Sequence, residues 1–149
     1  MTHPSAIPLF VRFFRSAASI DIDKNDLRRF REFVDEQMDG LAVAAQNSAT
    51  WNGRDVISPQ DLPITKGIQE RMREFDNLDE AAEIRDLLRQ QVRHPPDVMF
   101  AEDTERMLPE LFGGLSVALA RSFRIIDPKI ANPRTADWER SFALFNLIY

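Results

Sequence analysis

The sequence predicts an all-α protein in which a short helix–long helix–short helix unit occurs twice, the two units pairing within one chain. Three observations carry this. Two long segments, about residues 23–48 and 103–126, keep apolar residues at intervals of three and four, the period of an amphipathic helix. Each is flanked by shorter segments of the same period, set off by Asn-Gly, Pro-Pro and Asp-Pro breakers. At 149 residues the chain is too short for two ordinary domains, yet long enough for one core shared by two halves.

Residues 8–18 form the first short helix. Pro8 suits a first turn, where its missing N–H is not needed, and Leu9, Phe13 and Phe14 share a face beside Arg12 and Arg15. After a connection over 19–23, Asp23 caps the first long helix and Asp26 gives it an acidic first turn. Leu27, Phe30, Val34, Met38, Leu41 and Ala45 are its apolar stripe. Such a helix is about 39 Å long and needs partners along that whole length. Asn52-Gly53 ends it, and residues 54–57 are extended. Ser58-Pro59-Gln60-Asp61 then starts a helix, with Ser as cap, Pro first and Asp third. Pro63 removes an internal hydrogen bond and kinks the segment. The helix restarts at Thr65 and runs to about Phe75, with Ile64, Ile68, Met72 and Phe75 facing inward.

Residues 76–79 are the boundary between halves 1–76 and 77–149 of one compact domain over 1–149. A helix over about 78–92 carries Ile84, Leu88 and Val92 against a charged face, and His94-Pro95-Pro96 stops it. Val98-Met99-Phe100 is a short apolar strand or turn. The second long helix buries Leu108, Leu111, Phe112, Leu115, Leu119, Phe123 and Ile126. Gly113-Gly114 inside it predicts close packing where the two long helices cross. Residues 127–133 form a loop, and Thr135 caps a last helix carrying Trp138, Phe142, Phe145 and Leu147. Trp51 and Trp138 are expected to close the core between the halves.

The chemistry on offer is narrow. There is no cysteine, which excludes disulfides, thiol catalysis and cysteine-bound zinc, and fits a cytoplasmic location. No apolar run approaches the roughly 20 residues that span a bilayer, and the N-terminal segment lacks the pattern of a secretory signal. His3 and His94 are the only histidines, and neither has the context of a catalytic triad or a metal pair. Asp21, Asp23, Asn25 and Glu32 mimic a calcium loop, but Asp26 stands where its sharp turn needs glycine. Nineteen Lys and Arg against 24 Asp and Glu give a net charge of -5, which argues against a nucleic-acid coat protein. These readings imply no enzyme, no cofactor and no metal.

The most specific local motif is Arg54-Asp55-Val56-Ile57-Ser58-Pro59-Gln60-Asp61-Leu62. A guanidinium–carboxylate pair between Arg54 and Asp61, with Ser58 as cap, would tie the loop to the following helix. This motif and the helix order resemble the histone fold. Together with Ile20-Asp21-Ile22-Asp23-Lys24-Asn25-Asp26 and Asp61-Leu62-Pro63-Ile64-Thr65-Lys66-Gly67, they resemble a prokaryotic family of unknown function holding two tandem histone folds in one chain. The resemblance covers nearly the whole chain. It implies an intramolecular handshake, a pseudodimer that is monomeric, with Arg54, Asp61 and Ser58 as a structural clamp. In the second half Arg134 takes the place of the loop arginine, but Trp138 falls where the clamp aspartate would be.

DNA-wrapping histones hold phosphates with helix termini and loop cations. The corresponding candidates here are Arg12, Arg15, Lys24, Arg28, Arg29 and Lys66, interleaved with Asp21, Asp23, Asp26 and Asp55. The expected function is therefore a non-enzymatic interaction or scaffold protein with an unidentified protein partner. The alternative is a DNA-associated architectural protein using a local basic edge.

Overall fold

The computed structural model describes residues 6–90 and 98–148, and every described element longer than one turn is helical. The helices are α1 (Ala6–Ala18), α2 (Lys24–Trp51), α3 (Lys66–Asp76), α4 (Ala81–Gln90), α5 (Glu102–Ile126) and α6 (Thr135–Ile148), with a single 3-10 turn at Pro59–Asp61. The sequence expectations at His3, Val92, His94, Pro95 and Pro96 lie outside the described residues.

Local chemistry explains the boundaries. Ser19 ends α1 in the left-handed region at φ 56°, where its N–H reaches the Arg15 carbonyl at 2.9 Å. Asp23 caps α2 through a reciprocal box: its carboxylate accepts from Asp26 N–H, and the Asp26 carboxylate accepts from Asp23 N–H. Pro63 keeps the 3-10 turn from continuing, and α3 begins afresh with the Thr65 hydroxyl accepting from Ile68 N–H at 3.2 Å.

One main core runs through the molecule, and α5 is its axis. Seven consecutive residues of α5, Leu111 to Val117, are buried, so its middle is enclosed on every side. The Ser116 hydroxyl, which would otherwise be an unmet polar group there, donates to the Phe112 carbonyl at 2.7 Å. Aromatic rings join the two halves of the sequence. Phe30 packs edge-on to Phe14 and Phe112, and Trp138 packs on Phe14 and Phe123. Arg31 lies across the rings of Phe10 and Phe112, at 5.6 and 5.4 Å from their centroids.

Several expectations are corrected. Gly113 and Gly114 do not mark the crossing of the long helices; they let α3 lie against α5. A Cβ at 113 would overlap the Phe75 ring, and one at 114 would sit 2.6 Å from Met72 Cγ. Trp51 does not close the core: Trp138 is fully buried, whereas Trp51 is 90% exposed. Leu108 and Ile126 are half-buried, because the ends of α5 emerge from beneath its neighbours. Thr135 is not the cap of α6. The Asp137 carboxylate takes the Arg134 N–H at 2.9 Å, while the Thr135 hydroxyl accepts from Arg29.

Candidate functional site

The loops meet in pairs, crosswise. The loop after α2 pairs with the segment before α5: Ile57 N–H donates to Met99 O and Ala101 N–H to Ile57 O, both at 2.9 Å, forming a parallel bridge between Ile57 and Phe100. The buried Thr104 hydroxyl also donates to Ile57 O, at 2.7 Å. At the other junction, Asp21 N–H donates to Ala131 O at 2.7 Å, joining the loop before α2 to the loop before α6. Arg29 reaches across the same junction to the Thr135 hydroxyl at 2.9 Å, and Arg124 donates to the Ser19 and Pro128 carbonyls.

Beside the first junction, Arg54 and Asp61 form a two-pronged pair, with Nη2 2.9 Å from Oδ1 and Nη1 bound to Oδ2. Asp61 also accepts from Ser48 Oγ and Ser58 N–H, each at 2.9 Å, and Arg54 donates to Ser58 Oγ at 3.0 Å. The Asp61 side chain is only 1% exposed. The Arg54 guanidinium, aided by the Ser58 and Ser48 hydrogen bonds, holds the Asp61 carboxyl well below its ordinary range against the opposing effect of burial. Arg54 is thus committed to structure. Asp137 engages the backbone of Arg134, so the second loop uses a main-chain cap in place of a side-chain clamp.

The phosphate-contact candidates differ in what already engages them. Arg12 pairs with Glu83 at 3.3 Å and Arg15 with Asp21 at 2.8 Å. Arg29 is spent on Thr135. Lys24, Arg28 and Lys66 are exposed, and Lys66 opens a different helix from the other two. At the Asp21–Ala131 junction the Asp23 carboxylate accepts from Asp26 N–H in the first turn of α2, and the Asp137 carboxylate, in the first turn of α6, accepts from the N–H of Arg134 just before that helix.

A surface that sequence reasoning missed lies elsewhere. Ile68 of α3, Ala118 and Ile125 of α5, and Leu144 and Ile148 of α6 line an open groove of about 300 Å³, with Arg71 and Arg121 at its edge. The apolar positions were legible in the sequence, but which of them would go uncovered was not. Among the described residues, no three acidic or histidine side chains gather as metal ligands, and no helix is long and apolar enough to cross a membrane.

Similarity to known proteins matches this picture in extent and is silent on activity. A crystal structure from Thermus thermophilus superposes with a TM-score of 0.82 at 42% identity, covering 96% of this chain and 97% of that one. Protein AQ328 from Aquifex aeolicus gives a TM-score of 0.83 at 23% identity, over 100% and 99% of the two chains. An uncharacterized protein of Aquifex aeolicus strain VF5 is 28% identical over 116 residues, 77% of this chain and 68% of that protein. The model of a domain of unknown function, DUF1931, matches residues 10–146, and the chain belongs to that family.

Proposed function

We propose that the chain is a single-chain histone-type handshake serving as a non-enzymatic protein-interaction module. The crosswise exchange of loops supports the handshake: the second loop of residues 1–76 pairs with the first loop of residues 77–149, and the reverse pairing holds at the other junction. Two units related by an approximate two-fold axis pair their loops in this way. The Arg54–Asp61 clamp supports it as well.

The observation that carries the functional reading is the state of the Asp21–Ala131 junction. In a DNA-wrapping protein the helix starts there would offer free amides and cations to phosphate. Here the Asp23 carboxylate takes the Asp26 amide of α2, Asp137 places a carboxylate in the first turn of α6, Asp21 pairs with Arg15, and the whole chain is at -5. A phosphate would meet carboxylates first. The second reading, a DNA-associated architectural protein, draws on Lys24 and Arg28, which stand exposed on the first turns of α2.

Titration of a labelled DNA duplex across a salt series separates the two. The interaction reading expects no binding that falls with rising salt. Binding whose logarithm declines linearly with the logarithm of salt would overturn it, because that slope counts released counterions.

A further inference from the structure

Two apolar surfaces remain uncovered after the halves have paired, and their charges are opposite. The first is the groove between α3, α5 and α6, where Ile125 is 79% and Ile148 70% exposed. Its surroundings are basic: Arg71 and Arg121 line it, Lys66 precedes Gly67 at one edge, and Arg140 lies one turn before Leu144 on α6. Glu70 and Glu74 answer only the two lining arginines. The second surface is the outer face of α2. Glu36, Gly40, Val43, Asn47 and Trp51 recur at intervals of three and four, all exposed, forming a single stripe with Glu32 at its start. Val43 is 53% and Trp51 90% exposed.

We propose that the α2 stripe of one copy of this chain docks into the α3–α5–α6 groove of a second copy. This deepens the interaction reading by naming the partner, and it replaces the sequence expectation of a monomer. Val43 and Trp51 stand about two turns apart on one helix face, so both side chains can enter one groove. The acidic start of the stripe suits the basic surroundings of the groove, whereas a groove-to-groove dimer would set cation against cation. Gly40 is consistent with a close approach. A Cβ there would meet nothing within 4 Å in its own chain, so nothing internal requires a glycine inside this helix.

A copy cannot fill its own groove. α6 turns Phe142 and Asn146 toward Phe33 and Gln37 of α2, and turns Leu144 and Ile148 away from them into the groove. The contact joins two unlike faces, so two copies either exchange it reciprocally and close as a pair or repeat it head-to-tail into a ring or filament.

Sedimentation equilibrium of the full chain tests this with two variants, Val43→Asp on the stripe and Ile148→Asp in the groove. The parent should rise from its single-chain mass of 17.2 kDa to that of two chains or more as concentration rises. Each variant alone should associate at least tenfold more weakly. An equimolar mixture should recover a species of two chains and no larger, because each variant keeps the half that the other lacks. Trp51→Ala and Ile125→Asp repeat the test if either first variant loses its helical circular dichroism. A parent that stays a single chain, or a mixture that fails to recover pairing, overturns the proposal. Each of these results leaves the DNA titration, and with it the reading as an interaction module, to be decided separately.

Discussion

Gly113 lies so close to the face of Phe75 that a methyl group at position 113 would overlap the ring. Phe75 is fully buried and its ring also packs edge-on to Phe13, so it has no space to retreat. Arg85 fixes it from another side, lying over the ring at 5.3 Å while its guanidinium is held by Glu110 at 2.9 Å and by Asp76. Gly113→Ala should therefore destabilise the protein by about 3 kcal/mol or more, as overpacking does where neighbours cannot yield. Gly40→Ala is the control. It meets open space in a helix and should stabilise the chain by about 1 kcal/mol. Urea unfolding of both variants checks the pair, and equal effects would contradict the packing described.

Phe30→Ala should cost about 3–5 kcal/mol, since Phe30 is fully buried and touches rings from α1 and α5. The same denaturant series reads it. A loss below about 1 kcal/mol would mean that the site collapses freely or is not core.

Ser19→Gly should raise stability by up to about 1 kcal/mol. Ser19 sits at φ 56°, a region that costs a side-chain-bearing residue energy and glycine almost none. Its N–H bond to Arg15 and its carbonyl bond from Arg124 use the backbone alone, so glycine keeps both. A lower thermal midpoint for the variant would show that the turn depends on the serine side chain.

Asp61 gives the protein an acid limit. Its folded-state pKa is lowered, chiefly by Arg54, so its contribution is complete above the unfolded value of 3.8 and is lost as pH falls toward the folded value. Asp26 has the opposite sign: burial raises its pKa, so protonating it relieves a desolvated charge and favours the folded state in mild acid. Asp61→Asn should lower the thermal midpoint at pH 7 by about 5–10 °C and flatten the decline below pH 4. A pH profile parallel to that of the parent would contradict the clamp's role.

Much of this architecture was written in the sequence as periodicity. The stripes on α2 and α5 locate both long helices, and Thr65 after Pro63 locates the restart at α3. Partners were harder to read. Glycines at 113 and 114 announce a close approach but not that α3, and not α2, makes it. Thr104 looks like an ordinary first-turn residue until the fold brings Ile57 O to it. Trp51 and Trp138 occupy similar places in the sequence, yet one is bare and the other enclosed, because burial depends on which helix passes overhead. Arg54 and Asp61 were legible as a pair since both lie in one short loop and turn. Ser48, which completes the site from α2, carried no local signal.

Two halves complete one core through pairs that cross between them: Phe75 with Gly113, Phe30 with Phe112, Trp138 with Phe14. Producing residues 1–76 and 77–149 as separate fragments tests this most directly. Each alone should show weak helical circular dichroism and no cooperative thermal transition, and mixing them should restore both. A cooperative transition in either fragment by itself would contradict it.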